Sequence, residues 1–439
     1  MRLVRKMPAW LITRFPVRLA RQCVSGIVHH AALSVDHPRL QLLVDVSVIH
    51  RSDARTGIQR VVRALLLQLL LSPPEGYRVR PVYATRRHGY SYANEDFLDS
   101  PTQGEKNTVR PVEVQSGDIF LALDLAAHLL PRHQAQVLDW KRTGVRLHVL
   151  VYDLLPLQHP EWFPSRTERN FKRWMRWLAI YADNAICISA SVKDELQNWL
   201  KVHYSLPPTA LPASIIVLGA DINASVPSGG LPNDAKDLLA HLRNTPFVLM
   251  VGTIEPRKGH DQALAAFEHL WKQSSSMPSL VLVGRGGWKT EALQDKLRRH
   301  PESGKRLFWP QNVSDEYLLH LYAACSGVLV ASRAEGFGLP VIEAALHRKP
   351  VLARDLPVFR EIGLPEITFF TGQDAKNLAC AITSWLAKKH LASDAERPQK
   401  VDTWRTAAQQ LLLALGFTAD TSVNGVKSNT RTHKQGAAA

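Results

Sequence analysis

The sequence predicts an α/β protein of two doubly wound domains facing each other across a cleft. Three observations predict it. Apolar strand-like runs alternate with helix-like ones from about residue 40 to residue 390, and strands separated by helices imply βαβ units and parallel sheets. The alternation pauses once, at "LGADINASVPSGGLPNDAKD", whose Gly, Pro, Asn, Asp and Ser content is that of a linker. The chain's 439 residues, 45% of them hydrophobic, also exceed the length at which one core stops growing.

Taken in order, "RLQLLVDVSVI" reads as the first strand. "GIQRVVRALLLQLL" follows, with Ile58, Val61, Val62, Leu65, Leu66 and Leu69 at helical spacing. "RVRPVYA", "GDIFLALDL", "RLHVLVYDLLP" and "NAICIS" are further strands, with helices "PRHQAQVLDWKR", "SRTERNFKRWMRWLAIYA" and "SVKDELQNWL" among them. The second series begins at "FVLMVGTIEP" and runs through strands "SLVLVG", "RLFWP", "GVLVAS" and "PVLARD". Its helices include "HDQALAAFEHLWK" and "SDEYLLHLYAAC", the latter with Ser314 where an N-cap belongs. The resulting division is a basic segment at 1–39, a first domain at 40–225, a second at 226–390, a C-terminal helix within 391–417 and a polar, disordered tail at 418–439.

Composition narrows the class. Four scattered cysteines, with no CxxC and no His/Cys cluster, exclude a disulfide framework or structural zinc and fit a reducing cytoplasm. No apolar run reaches transmembrane length. The N-terminus carries six Lys/Arg and no acid through Cys23, and Arg14 and Arg18 interrupt its apolar residues. It therefore lacks the continuous apolar core of a signal peptide. Two readings stand for it: a basic arm lying on an anionic membrane surface through Trp10, Leu11, Ile12 and Phe15, or a disordered arm. The net charge of +15 calls for an anionic partner without naming it.

Two loops after strands carry the chemistry. "GTIEPRKG", Gly252 to Gly259, brings Arg257 and Lys258 to a strand end just before a helix. Arg grips a phosphate with paired hydrogen bonds and Lys adds a point charge, so the two can neutralise a departing diphosphate without a metal. "EGFGLPVIEA" sets Glu335 and Glu343 on either side of a Gly-Phe-Gly-Leu-Pro turn, with seven residues between them. Gly336 and Gly338 allow close backbone approach, and the helix start offers free N–H groups to phosphate oxygens. Acceptor-only carboxylates suit a hydroxyl-rich neighbour such as a ribose or hexose. The competing readings are a solvated Arg-Lys pair, a solvated Glu343 and a Glu335 that serves the helix dipole.

"ASRAEGFGLPVIEAALHRKPVLA" resembles the signature of glycosyltransferase family 4, retaining enzymes of the GT-B fold that use nucleotide-activated sugars. "VGTIEPRKGHDQALAAF", "LVLVGRGGW", "ISASVKDEL" and "IIVLGADI" fit the same family in order and spacing, and the likeness covers roughly residues 42 to 390. The resemblance implies that Arg257 and Lys258 bind the donor diphosphate and that Glu343 holds the nucleoside ribose. It gives Glu335 the donor sugar's hydroxyls, and gives Gly252 and the backbone of Gly336, Phe337, Gly338 and Leu339 to the donor. Gly57, in "DARTGIQRVVR", becomes the close-approach position of the first domain, with Arg60 either assisting or lying on a charged helix face. Where many relatives carry His-Asp, this chain has Tyr152-Asp153. Tyrosine does not titrate near neutrality, which puts the histidine's role in doubt, while Asp153 either orients an acceptor hydroxyl or ends a strand.

The implied function is retaining transfer of a sugar from a nucleotide diphosphate donor to a glycan or polyprenyl-linked glycan. No cofactor or metal is expected, the leaving phosphate takes the acceptor's proton, and the work is done in the cytoplasm or on the inner face of its membrane. Mannose is the first choice of sugar, because "VYDLLPLQHPEWF" and "TGIQRV" resemble bacterial polysaccharide mannosyltransferases. In the helix "SRTERNFKRWMRWLAIYA", Phe171, Trp174, Met175 and Leu178 form a core stripe. Arg166, Arg169, Arg173 and Arg176 form a second stripe, read as a solvated face or as a site for anionic lipid or an acceptor phosphate. The alternatives are a GT-B epimerase or phosphorylase and, from another class, a nucleotide- or nucleic-acid-binding protein. Against the last, Gly284 and Gly286 are followed by Lys289 where the dinucleotide fingerprint needs glycine, and no nucleic-acid module is present.

Overall fold

The computed structural model describes residues 7–26, 39–53, 55–94, 97–98, 110–232, 235–388 and 402–418. The tail expected to be disordered lies outside these beyond Thr418. Two sheets organise the chain. The first runs β3-β2-β1-β4-β5-β6-β7, from β1 (Leu40–Asp45), β2 (Tyr77–Tyr83), β3 (Ser91–Tyr92), β4 (Ile119–Ala122), β5 (Arg146–Val151), β6 (Asn184–Cys187) and β7 (Ala213–Ile215). Every pairing is parallel except β2 with β3. The second is parallel throughout and runs β10-β9-β8-β11-β12-β13. Its strands are β8 (Phe247–Val251), β9 (Ser279–Val283), β10 (Leu307–Phe308), β11 (Gly327–Val330), β12 (Val351–Arg354) and β13 (Ile367–Phe370).

Helices cover both faces of each sheet, so the central strands are buried end to end, β4, β6, β9, β11 and β12 completely. Strand order reverses between β1 and β4 in one sheet and between β8 and β11 in the other. Ligands of open α/β sheets bind outside the carboxyl ends at such points. The loops that leave β1, β5, β8 and β11 therefore define the cleft.

The described segments 7–26 and 402–418 both pack on the first domain. The helix Trp404–Leu415 buries Trp404, Ala407, Ala408, Leu411 and Leu415 in the first domain's core. Its Ala414 carbonyl accepts from Asn184 at 3.0 Å, and the Trp404 indole donates to Asp221 O at 2.8 Å. Near the N-terminus, the short helix Ala9–Ile12 and the helix Val17–Ser25 bury Ile12, Val17, Ala20 and Val24 in that core. Arg21 donates to the carbonyls of Ala179, Ala182 and Ala210, and Arg176 to those of Thr13 and Phe15. Disorder therefore does not describe residues 7–26, and Arg176 leaves the proposed solvated stripe to hold them. Arg166, Arg169 and Arg173 are exposed.

Candidate active site

The loop after β8 delivers the two cations. Gly252 sits at φ 149°, where glycine is favoured, and a Cβ there would lie 3.4 Å from the Lys258 stem. Pro256–Lys258 forms one 3-10 turn, closed by Gly259 at φ 73°. A Cβ at Gly259 would meet Ala331 O at 2.3 Å, so this loop lies directly against the loop after β11. Arg257 Nη1 donates to Glu335 Oε2 at 2.7 Å and Lys258 Nζ to Glu335 Oε1 at 2.5 Å. Arg257 Nε reaches Glu255 at 2.9 Å and Ser332 Oγ reaches Glu335 Oε1 at 2.7 Å.

Glu335 is only 9% exposed. Burial opposes its charge, but Lys258 and Arg257 outweigh burial and hold the carboxyl down at about 2. For Arg257, burial is outweighed by Glu335, Glu255 and Asp153, and its pKa rises. For Lys258, burial prevails and its pKa falls. The two cations are thus neither free nor solvated. The sequence places them at the cleft, and the structure adds that Glu335 gathers both.

The turn between the glutamates packs across the domain boundary. A Cβ on Gly336 would lie 2.0 Å from Tyr152 O, and the Ser189 hydroxyl donates to Gly336 O at 2.9 Å. Gly338, at φ 112°, begins the helix Leu339–Leu346, and no side chain caps that helix. Phe337, Leu339 and Ile342 pack into the first domain's core, so the Phe337 and Leu339 side chains join the domains while their backbone lines the turn.

Glu343 is buried, with 2% exposure, which removes the reading of it as a solvated helix residue. Its Oε2 accepts from Tyr322 Oη at 2.7 Å and its Oε1 from Arg60 Nη1 at 2.5 Å. Arg60 Nη2 also donates to Asp315 Oδ1 at 2.7 Å. Burial works against the charge on Arg60, yet Glu343 and Asp315 outweigh it and raise its pKa. Arg60 therefore does not lie on a charged outer face. Tyr322 and Asp315 were not singled out from the sequence, where they read as ordinary members of a helical repeat.

On the first-domain side, Gly57 starts the helix Gly57–Leu71 behind a Thr56–Gln59 capping box. A Cβ on Gly57 would stand 3.7 Å from Leu339 Cδ1, an ordinary contact, so the position faces the second domain without requiring glycine. Tyr152 is 3% exposed and its Oη donates to Leu123 O at 2.8 Å. Its hydroxyl is therefore satisfied inside the first domain's core. Asp153 accepts from Leu155 N at 3.1 Å, which ends the strand. It also feels the cluster: burial raises its pKa and Arg257 pulls it back, with burial prevailing.

Beside Glu335 the cleft widens into a cavity of about 310 Å³. Leu155, His159 and Glu195 line it from the first domain, and Arg333, Glu335 and Leu356 from the second. With Gln158, Ser191, His159, Glu195, Arg333 and Glu335 among its lining, the cavity suits a small, hydroxyl-rich molecule. Further bonds close the cleft around it. Glu361 accepts from the N–H groups of Ala190 and Ser191 at 2.8 and 2.7 Å, and Trp288 Nε1 donates to Trp162 O at 2.9 Å. Among the described residues, no group of three or more His, Cys, Asp or Glu is placed to hold a metal ion.

The chain is similar to known glycosyl transferases. The family model "Glycosyl transferases group 1" matches residues 235–401. The chain is 43% identical over 383 residues to the serotype-specific mannosyltransferase WbdA of Escherichia coli, covering 86% of this chain and 47% of that protein. It thus spans about half the length of that relative. It is 34% identical over 119 residues to the O-antigen chain mannosyltransferase B of Escherichia coli, covering 26% of this chain and 30% of that one. Anabaena Alr3699/HepE, solved in complex with UDP-glucose, superposes with a TM-score of 0.53 at 18% identity, over 86% of this chain and 94% of its own. That likeness carries the two-domain GT-B architecture.

Proposed function

We propose that the chain is a group 1 glycosyl transferase, the family whose model matches residues 235–401, and that it transfers mannose from a nucleotide diphosphate donor to a growing cell-surface polysaccharide, with retention of configuration. One observation carries the reading: Arg257, Lys258 and Glu335 meet at the carboxyl ends of β8 and β11, beside the uncapped start of the Leu339 helix. Arg257, Lys258 and the helix N–H groups take up the charge of the departing diphosphate. Glu335 accepts the donor sugar's hydroxyls, Glu343 the ribose hydroxyls, and the Gly336–Leu339 backbone approaches the phosphates. Asp153 sits on the acceptor side of this cluster. The leaving phosphate receives the acceptor's proton, so the reaction needs no dedicated base, and its charge is met without a metal or cofactor. Mannose is supported by the likeness to WbdA and to the O-antigen mannosyltransferase.

The acceptor is a glycan, carried on a polyprenyl lipid and met at the inner face of the cytoplasmic membrane. No helix of the described residues is long and apolar enough to cross a membrane. Support for peripheral binding comes from Trp10 and Leu19, exposed beside Arg14 and Arg18, and from exposed Arg166, Arg169 and Arg173 on the helix that the N-terminal segment packs against. Sedimentation with anionic but not neutral vesicles tests this part. The central test incubates the purified chain with a panel of nucleotide sugars and a glycan acceptor and measures released nucleoside diphosphate. The mannose donor should give the fastest acceptor-dependent release. Release from no donor, or equal release without acceptor, refutes the proposal.

A further inference from the structure

The carboxylate assigned above to the ribose is shared between the domains. Both Glu343 oxygens are engaged, one by Tyr322 of its own domain and one by Arg60 of the other. The second arm of the Arg60 guanidinium rests on Asp315. Asp315 also fixes the interdomain linker, because its Oδ2 accepts the N–H and the hydroxyl of Ser228, each at 2.9 Å. One buried guanidinium, 13% exposed, therefore touches the candidate ribose carboxylate and the anchor of the hinge together. Its placement is built in. The Thr56–Gln59 capping box fixes the helix start, and Gln59 Nε2 ties that turn to Ser52 O at 2.7 Å. Arg60 then projects one turn in, and its planar fork serves two acceptors at a set angle, which the point charge of a lysine does not.

We propose that Arg60 is a positioning residue that makes ribose recognition a two-domain event, orienting Glu343 so that the nucleoside hydroxyls are gripped fully only when the cleft is closed. The inference rests on the ribose role given to Glu343. A carboxylate offers about four lone-pair sites; Arg60 and Tyr322 take two, and the remaining two match a ribose's adjacent hydroxyls. At 2% exposure they are reached only when the cleft opens, and reclosure seats Arg60 again. Without Arg60, Glu343 keeps one bond, from Tyr322, and its carboxylate is free to turn. Arg257, Lys258 and Glu335 bond among themselves and not to Arg60, so the loss falls on the ribose hydroxyls and spares the diphosphate.

The test measures binding of GDP and of 2′,3′-dideoxy-GDP to the full chain by calorimetry, with the UDP pair as a second probe. The wild type should prefer the ribose form at least tenfold. Arg60→Ala should bring that preference below threefold by weakening the ribose form alone, and Arg60→Lys should fall between. Arg60→Ala combined with Glu343→Ala should lose nothing beyond Glu343→Ala. An Arg60→Ala variant that keeps the wild-type preference, or weakens both nucleotides equally, overturns the inference. A wild type without the preference overturns the ribose role of Glu343 itself, and the inference with it. The two failures are distinguishable, because one appears in the wild type and the other only in the variant.

Discussion

Replacing Glu335 by glutamine tests the electrostatic core of the site. The carboxyl is held at about 2 against an ordinary value of 4.5, so the fold favours its ionised form. A depressed pKa gives stability that is fully present above the unfolded value and is lost as pH falls through the folded one. Each unit is worth about 1.4 kcal/mol, so the shift corresponds to about 3 kcal/mol at pH 7 and to roughly half of that at pH 3. Glutamine keeps an oxygen for Lys258 but removes the charge that both cations face. Urea unfolding of Glu335→Gln should therefore show a deficit of about 3 kcal/mol at pH 7 that narrows to about half at pH 3. In parallel, turnover should fall at least tenfold while nucleoside diphosphate binds no more weakly, since Arg257 and Lys258 are released to meet it. A stability gap that ignores pH would refute the charge argument. Weakened diphosphate binding would refute the assignment of Glu335 to the sugar.

Three other outcomes are expected. Lys258→Ala and Glu343→Ala should each lower turnover at least tenfold while the circular dichroism spectrum is kept, and full activity in both would remove the site assignment. Gly336→Ala puts a Cβ 2.0 Å from Tyr152 O, where real contacts stay above 3.0 Å, so the domains must part by about 1 Å. Misplacement on that scale costs roughly a hundredfold in rate, and activity within threefold of wild type would show that the cleft tolerates the shift. Asp45 and Asp124, buried together at the ends of β1 and β4, are pushed up to about 6 and about 7, mainly by burial. Raised carboxyl values mean that stability falls as pH rises from about 4 to 7. Asp124→Asn should flatten that slope in thermal melts across this range.

Much of the fold was legible because parallel strands covered on both faces read as unbroken apolar runs, as "FVLMV" and "SLVLV" do. Three strands were missed for the complementary reason. Ser91–Tyr92, Ala213–Ile215 and Ile367–Phe370 are short strands at the sheet edges, and they need no such run. The cation pair and both glutamates were legible because strand-end loops with glycines mark themselves. Their partners were not, since Arg60 and Glu343 stand 283 residues apart and no local pattern links them. The direction of Tyr152 was hidden as well: "HVLVY" is apolar at four of its five positions, so alternation could not say which side chain faces the cleft. The return of the Trp404 helix onto the first domain is tertiary information of the same kind.

The pairing of charges also bears on how a donor is taken up. Every carboxylate assigned to a hydroxyl holds a cation already, Glu335 with Arg257 and Lys258, and Glu343 with Arg60. Bare buried charges are costly, whereas paired ones with satisfied hydrogen bonds are tolerable. The cleft can therefore stay closed around its own ion pairs. A free hexose entering it offers hydroxyls but nothing for the two cations, so it cannot release Glu335 from them. On the proposed function, a diphosphate would offer two or more negative charges and draw Arg257 and Lys258 onto itself, freeing Glu335 as the attached sugar arrives. On that reading, sugar recognition would depend on the phosphate to which the sugar is bonded, and hydrolysed donor would lose its hold on the sugar site. In such an arrangement the hexose alone should bind far more weakly than the intact donor. The cause is that Glu335 stays occupied, whatever the shape of the cavity beside it.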